Sequence, residues 1–165
     1  YCIFQLRLDE KLKKLKKNIS KKNKVNNVEI IYYTYRGDWY YKSWKNKSSL
    51  SGGLLVNIAI HFFDILFWIF GNVNKFKITK KNNSEVKGII KLQKASVKWT
   101  VSIKNINKKN KNIKNRFLRI MKVNKRVINF NKFDNLHLAN YKEIMKRNFH
   151  ISNFETVIKF LAKLK

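Results

Sequence analysis

Hydrophobic and polar positions follow two periods along this chain, and each period predicts one kind of element. Leucines at 12 and 15 and an isoleucine at 19 repeat at helical spacing, so a helix is predicted over 10–19. Residues 28–35 are rich in β-branched and aromatic side chains, which indicates a strand. The same criteria predict strands at 1–8, 75–80, 86–92, 96–103, 117–123 and 126–130, and helices at 53–70, 138–147 and 151–164.

The order of these elements predicts an α+β fold. Three strands follow one another over 75–103, so we expect an open mixed or antiparallel sheet with helices on one face. Residues 105–115 are predicted to form a polar, lysine-rich loop. A chain of 165 residues buries one good core, so residues 1–165 are predicted to be a single domain. Because the chain starts at Tyr1 in an apolar run, without a cleavable signal pattern, we expect a fragment.

The longest apolar run, residues 54–70, has nearly the length of a membrane span. Asn57, His61 and Asp64 interrupt it, and three polar groups in one span would be costly in lipid. We therefore predict a buried core helix that stops at Gly71, and no membrane partner.

The net charge of +29 suggests a nucleic-acid or anionic-membrane partner, but residue usage argues against a specific one. The chain has 32 Lys, 6 Arg, 22 Asn and 19 Ile, only 4 Ala and no Pro. Lys, Asn and Ile have A/T-rich codons, so A/T mutational drift explains all of these at once, whereas selection for phosphate binding explains only Lys. Arginine, the preferred residue for bidentate contacts, is scarce. We therefore predict no specific nucleic-acid binding, with weak, salt-sensitive binding to polyanions as a side effect.

The chain predicts no metal site. Cys2 is the only cysteine, which excludes an internal disulfide and a cysteine zinc site. A buried or incidental thiol is the default interpretation of this residue.

One histidine stands in the apolar run at a position suited to chemistry. Asn57 and His61 are four residues apart, so both project from one face of the predicted helix. A histidine supported by an amide, at the mouth of a Gly-Gly turn, is a workable proton acceptor beside a bound substrate. The alternative is a core histidine satisfied by local hydrogen bonds, and the residues alone leave both open.

Residues 35–45 are predicted to form an aromatic loop that combines positive charge with planar rings. Arg36 and Lys45 supply positive charge, and Tyr40, Tyr41 and Trp44 supply flat apolar faces. Cations can bind the anionic groups of a ligand, and aromatic rings can stack on its planar groups. The alternative is an aromatic turn that only packs on the sheet.

A small-residue turn precedes the core helix. Ser51, Gly52 and Gly53 would let backbone N–H groups approach a ligand at the start of the helix. We therefore include Gly52 and Gly53 among the predicted substrate-binding residues.

Four segments resemble one known family, in that family's order. SGGLLVNIAIHFFDILFWIFG is similar to the second signature of the Gfo/Idh/MocA oxidoreductases, a glycine pair followed by D/N-x-x-x-H. YRGDWYYKSWK resembles the sugar-binding loop of one branch, the UDP-N-acetylglucosaminuronate 3-dehydrogenases. FQLRL resembles the strand after the nucleotide-binding domain of that branch, and NLHLANYKEIM its later D-L-H-x-x-x-Y-x-x-I-L segment.

The resemblance implies the second half of a two-domain, NAD-dependent dehydrogenase. Such a half binds substrate, and its open sheet often forms a homo-oligomer. The implied reaction oxidises the C3 hydroxyl of a UDP-N-acetylglucosaminuronate-type sugar, in the cytoplasm, for surface polysaccharide such as the O-antigen of lipopolysaccharide. These 165 residues contain neither G-x-G-x-x-G after a strand nor E-K-P. We therefore expect NAD to be bound mainly by a missing N-terminal domain.

The resemblance also implies residue roles. His61 matches the histidine that takes the hydroxyl proton, with Asn57 holding or orienting it. Gln5 and Arg7 could face the nicotinamide or the substrate. The positions that match the substrate motif are Arg36, Ser43, Trp44 and Lys45.

Several positions depart from the family pattern. Asn135 stands where an acid is expected before His137, whose role is open. Asp9 replaces a histidine, Ala59 replaces a glycine, and Asp64 is expected to cap or pack locally. Together with the drifted composition, these departures are compatible with relaxed selection or a split gene.

Three hypotheses follow. The first is the substrate domain of a nucleotide-sugar dehydrogenase. The second is a non-catalytic relict or oligomerisation domain of the same fold. The third is a basic polyanion-binding protein, which requires lysines clustered on one face.

Overall fold

A single sheet organises the part of the chain that the computed structural model describes, residues 4–105, 117–132, 136–145 and 154–164. Its strands are β1 (Asn26–Thr34), β2 (Val73–Lys81), β3 (Glu85–Leu92), β4 (Ala95–Ser102), β5 (Phe117–Val123) and β6 (Arg126–Asn129). They lie in the order β2-β3-β4-β1-β5-β6. β1 is parallel to β4, and the other neighbouring pairs are antiparallel. The predicted open mixed sheet is confirmed.

The helical layer covers one face of this sheet. Its helices are α1 (Glu10–Ser20), α2 (Asp38–Lys42), α3 (Ser48–Ser51), α4 (Ile60–Phe70), α5 (Leu136–Met145) and α6 (Phe154–Ala162). Shorter turns lie at Gln5–Leu8, Trp44–Asn46 and Phe130–Lys132, and a π turn at Leu55–Ala59. Every second residue of β1 is buried, beginning with Asn26, as expected when one sheet face is covered.

Helix α4 is the centre of the core. Phe62, Phe63 and Phe70 are fully buried, and Phe63 meets the rings of Trp99 and Phe160 edge-to-face. The core therefore joins α4 to the sheet and to α6. Burying an aromatic side chain of this size contributes roughly 2–3 kcal/mol.

The segment Ser48–Phe70 has the length and apolarity of a membrane span by composition. In the folded domain, however, 72% of its most apolar window is buried inside the protein. A core helix passes the same compositional test, and this burial agrees with the prediction made from its three polar residues.

Two predicted elements were wrong in form. The described part of the predicted strand 1–8 is the turn Gln5–Leu8, because Phe4 and Leu6 fold inward before α1. Asp9 ends this turn and caps α1, accepting a hydrogen bond from the N–H of Leu12 at 3.0 Å. The aromatic loop is instead a series of short helical turns between 38 and 51.

The remaining predicted elements are confirmed within the described residues. The turn between β5 and β6 contains Asn124 with a φ of 52°. Most of the predicted loop 105–115, together with Cys2 and parts of the two last predicted helices, lies outside the described residues.

Candidate functional site

His61 lines a small cavity, and this cavity is the candidate site. Its volume is about 150 Å³, and its lining comes from six segments: Gln5 with Leu6, Tyr32, His61, Arg119, Phe130 and Leu136. His61 is half-buried, and Phe4 meets its ring edge-to-face with 6.1 Å between centroids. An imidazole beside an amide, a phenol and a guanidinium has polar neighbours that a hydrocarbon core does not offer.

A buried ion pair joins two of these segments. Arg7 Nε donates to Asp64 Oδ2 at 2.8 Å, and a second guanidinium nitrogen donates to Oδ1. The pair connects the Gln5–Leu8 turn to α4 one turn after His61, so it helps to place Gln5 and His61 at one cavity. Burial raises the pKa of Asp64, and Arg7 opposes that shift.

This geometry changes the interpretation of both partners. Asp64 was expected to cap or pack locally, but its partner Arg7 is 57 residues away in the sequence. The Arg7 guanidinium is held by Asp64, while its predicted contact with nicotinamide or substrate stays a prediction.

Arg119 enters the cavity from β5. The strand register places it opposite Tyr32 of β1. Its Nε donates to Thr34 Oγ1 at 3.0 Å, and its guanidinium carbon lies 4.8 Å from the ring centroid of Phe117 and 5.4 Å from that of Tyr32. These contacts fix the plane of the guanidinium.

Arg36 is a second cation near the cavity, although it is not part of the lining. Burial raises the pKa of Tyr32, and the charges of Arg119 and Arg36 oppose that shift. Arg36 acts in the same way on Tyr40. Its Nε is buried, and no described residue accepts a hydrogen bond from it. The charge of Arg36 therefore acts both on Tyr32 of the cavity and on Tyr40 of the aromatic segment.

Asn57 connects the core helix to the aromatic segment. Its Nδ2 donates to the carbonyl of Lys45 at 3.4 Å, and a side-chain hydrogen bond joins it to Tyr40. It lies in the π turn Leu55–Ala59, and such turns are frequent at functional sites. The predicted orientation of His61 by Asn57 stays a prediction, because the contacts described for Asn57 lead to Lys45 and Tyr40.

The aromatic segment is divided between packing and exposure. Tyr40 is buried, and Ser43 Oγ donates to its carbonyl at 2.9 Å. In contrast, Tyr41 is 45% and Trp44 57% exposed, and Lys45 Nζ lies 6.0 Å from the centroid of the Trp44 ring. The exposed members are available to a ligand, whereas Ser43 supports the turn.

Gly52 and Gly53 serve the turn itself. Their φ angles are +72° and +66°, and a Cβ at Gly52 would overlap Val56. The N–H of Gly52 donates to Ser48 O at 2.9 Å, and that of Gly53 to Ser51 Oγ at 3.0 Å. Both N–H groups already donate within the turn, and their predicted approach to a ligand stays a prediction.

The two glycines line a second, larger cavity of about 460 Å³. Its other sides include Lys81, Asn82 and Asn83 from the β2–β3 turn and Leu161 and Leu164 near the end of the chain. His61 is not among its lining residues. The structure therefore places the glycine pair and the histidine at different cavities.

The segment 135–145 contributes Leu136, the first residue of α5, to the His61 cavity. α5 packs against the Gln5–Leu8 turn. His137 lies in the same helix, but its side chain is outside the described part, and its role stays open. Within the described residues, no group of three His, Cys, Asp or Glu side chains is placed to hold a metal ion.

Arg119 and Tyr32 line the His61 cavity but were not among the site residues predicted from the sequence. The signal for Arg119 was its place in the strand: it shares an inward-facing register with Met121 and Val123, both buried. An arginine at an inward-facing strand position is a candidate for a functional role, because arginine is scarce in this lysine-rich chain. Tyr32 gave no comparable signal, because a tyrosine inside an apolar strand is ordinary core.

Comparison with known proteins agrees with the fold. Residues 16–89 match the oxidoreductase family C-terminal alpha/beta domain of Gfo/Idh/MocA proteins. The WlbA (WbpB) dehydrogenase from Thermus thermophilus, in complex with NAD and UDP-GlcNAcA, is similar with a TM-score of 0.90 and 31% identity, covering 99% of this chain and 54% of that one. Its complex with NAD and alpha-ketoglutarate gives a TM-score of 0.81 and 32% identity, covering 88% and 48%.

Other relatives are more distant. The WlbA dehydrogenase from Bordetella pertussis, in complex with NADH and UDP-GlcNAcA, has the same fold at a TM-score of 0.60 and 18% identity, covering 89% of this chain and 49% of that one. The chain thus spans about half the length of these dehydrogenases. A Bacillus subtilis protein named as an oxidoreductase, YteT, is 38% identical over 50 residues, which are 29% of this chain and 12% of that protein.

The sheet order, the covered face and the histidine cavity define an α+β domain of the kind that oxidoreductases carry after their nucleotide-binding half. Residues 16–89 match the C-terminal domain of the Gfo/Idh/MocA oxidoreductases, and the described residues have the fold of such a domain.

Proposed function

We propose that residues 1–165 are the substrate-binding domain of an NAD-dependent dehydrogenase that oxidises the C3 hydroxyl of a UDP-N-acetylglucosaminuronate-type sugar. The observation that carries this proposal is the shared cavity of His61, Gln5, Tyr32 and Arg119. The similarity to a dehydrogenase solved with NAD and UDP-GlcNAcA supports the same substrate class.

His61 is the proton acceptor in this proposal. Oxidation of a secondary alcohol moves the hydroxyl proton to a base and the carbon-bound hydrogen, as hydride, to an acceptor. NAD, when bound, accepts that hydride. The imidazole of His61 takes the proton, and the Tyr32 hydroxyl and the Gln5 amide orient the sugar by hydrogen bonds. Leu6 and Phe130 exclude water from the reacting centre.

The residues present fit only part of a cofactor site. Gln5 offers an amide at the cavity, but the glycine-rich loop that holds a pyrophosphate is absent from these residues. Gln5, together with any contact from Arg7, would therefore be the chain's contribution to NAD, and most cofactor contacts would come from the nucleotide-binding half.

The cavity is large enough for only one part of a nucleotide-sugar substrate. About 150 Å³ accommodates one sugar ring, whereas sites for whole drug-sized ligands are about 300–1,000 Å³. The reacting sugar belongs in the cavity, and the nucleotide belongs on the exposed faces of Tyr41, Trp44 and Lys45. Arg36, whose charge acts on Tyr32 and Tyr40, adds positive charge to the same binding surface. Gly52 and Gly53 support the segment that carries these groups.

Hydride transfer tests this function directly. The nucleotide-binding half of the Thermus thermophilus WlbA dehydrogenase would be fused ahead of Tyr1, and NADH formation with UDP-GlcNAcA would be followed by absorbance. His61→Gln should lower kcat by roughly 10²- to 10⁴-fold, with a much smaller change in KM. Thermal unfolding of both proteins controls for folding. Equal turnover by the two would refute the role of His61.

The open face of the sheet is the proposed contact with a second copy of the chain. Ile31, Tyr33, Ile89 and Ile120 are only half-buried and lie on strands β1, β3 and β5. The same face carries Lys77, Lys87, Lys91, Lys98 and Lys122. Because copies would oppose these lysines, self-association should strengthen as salt rises, which light scattering can measure. Weakening with salt would instead favour a polyanion on this face.

The described lysines are spread over α1, the open sheet face and the aromatic segment. This distribution favours the compositional explanation over a single polyanion-binding face. A role in O-antigen synthesis and a cytoplasmic location stay predictions that come with the family resemblance.

A further inference from the structure

Arg119 offers the His61 cavity a positive charge without a counterion from the described residues. Five of the described carboxylates form ion pairs elsewhere: Asp64 with Arg7, Glu10 with Lys13, Glu29 with Lys122, Glu85 with Lys80 and Glu155 with Lys159. No described carboxylate forms an ion pair with Arg119. A half-buried guanidinium without a carboxylate partner from the described residues is complementary to an anionic ligand.

The fixed orientation of Arg119 narrows the choice of anion. Its Nε donates a hydrogen bond to the hydroxyl oxygen of Thr34, which is fully buried. The rings of Tyr32 and Phe117 hold the plane of the guanidinium. The two terminal nitrogens remain, and their spacing matches the two oxygens of one carboxylate. A cavity of about 150 Å³ also has room for a carboxylate on a sugar ring rather than for a nucleotide.

We propose that Arg119 recognises the carboxylate of an acidic sugar and so makes the His61 cavity selective for uronates over neutral hexoses. This assignment rests on the proposed function for its substrate. Tyr32 lies opposite Arg119 on β1, and the charge of Arg36 also acts on Tyr32. A neutral sugar would leave the guanidinium in the cavity without a charged partner.

Side-chain NMR on the 165-residue chain tests the contact without turnover. The chain has only 6 arginines, so their Nε–H signals form a simple spectrum. Arg119→Lys removes and identifies one signal. Glucuronate should shift that signal at constant ionic strength, and glucose should not. Arg126→Lys, at the exposed first position of β6, is the matched control and should leave the shift unchanged.

Two results of this titration would overturn the proposal. One is an Arg119 signal that does not move with glucuronate. The other is an equal shift with glucose, because that would show recognition of the ring rather than of its charge.

The fused dehydrogenase supplies the second measurement. Arg119→Met should reduce kcat/KM for UDP-GlcNAcA roughly 10- to 100-fold, mainly through KM, because a charged hydrogen bond is lost. Arg119→Lys should recover part of that loss. An unchanged KM in Arg119→Met, with turnover intact, would refute this inference and leave the proposed function standing. A fused protein that forms no NADH while glucuronate still shifts Arg119 would refute the proposed function alone.

Discussion

The cavity beside the glycine turn and the cavity at His61 differ in size and in the chemistry of their polar groups. The larger, about 460 Å³, contains polar groups that already bond within the protein: Lys81 Nζ donates to the carbonyl of Leu164 at 3.0 Å, and Asn82 Oδ1 accepts from two N–H groups of its own turn. The smaller, about 150 Å³, combines His61 with Arg119, whose charge has no described carboxylate partner.

This difference shows that the volume of a cavity does not by itself identify the ligand-binding site. A cavity whose polar groups bond to one another is a by-product of packing turns together, whereas a held charge without an internal partner favours a ligand. The polar groups of the glycine pair, Gly52 and Gly53, are likewise bonded within the protein. Its N–H groups donate within the turn, so its conformation serves the backbone before any substrate.

The largest expected effect concerns the ion pair that holds the smaller cavity together. Asp64→Ala leaves Arg7 without its buried partner, because Asp64 is fully buried and Arg7 only 17% exposed. Breaking a buried pair in this way typically costs about 3–5 kcal/mol of unfolding free energy. Urea unfolding followed by tryptophan fluorescence measures this loss.

The matched control for that variant is an exposed ion pair. Glu10→Ala removes the partner of Lys13 on the surface of α1 and should change the unfolding free energy little. Glucuronate binding should fall only in Asp64→Ala, since the Arg7 pair positions Gln5 beside His61. Equal stability of the two variants would mean that the pair does not hold the cavity.

The scaffold could be predicted from the sequence because its elements have strong local signals. Alternation over 86–92 and 96–103 and the leucine spacing of α1 each determine one element and its buried side. The turn at 124–125 follows from Asn124, which tolerates a positive φ. Such signals involve neighbours in the chain, so a single sequence contains them.

The site could be predicted only in part, because it depends on contacts between distant segments. His61 was selected from its place on the helix, but Arg119 reaches it from a strand 58 residues later. The Arg7–Asp64 pair joins residues 57 apart. No local pattern in the sequence encodes which strand faces which turn of a helix, so neither Arg119 nor the Arg7–Asp64 pair could be predicted from spacing alone.

A smaller effect is expected at the turn beside the larger cavity. Gly52→Ala forces an alanine to a φ of +72° and drives its Cβ into Val56, which should cost about 1–3 kcal/mol. Gly37→Ala is the control, because Gly37 has a φ of −58° and its Cβ would only touch the Trp39 ring. Calorimetric unfolding measures both. Loss of glucuronate binding in Gly52→Ala at unchanged stability would instead place the ligand at the larger cavity.

The smallest effect is a pH-dependent one at Glu85, which precedes Val86 of the larger cavity. Burial raises the pKa of Glu85, but Lys80, 2.9 Å away, and further lysines outweigh it, so the folded pKa lies below its ordinary value of 4.5. Ionised Glu85 therefore stabilises the fold above that value, and this contribution is lost as pH falls through the folded pKa. Glu85→Gln should lose about 1 kcal/mol at neutral pH.

Urea unfolding at a series of pH values checks that sign. The wild type and Glu85→Gln should converge in stability as pH falls below 4.5, because the carboxylate then loses its charge. Glu155→Gln, which removes the exposed partner of Lys159, is the control and should follow the wild type closely. Glucuronate binding should stay the same in all three proteins, since Glu85 lines no part of the His61 cavity. A constant difference between wild type and Glu85→Gln at every pH would trace the loss to packing at the start of β3 rather than to charge.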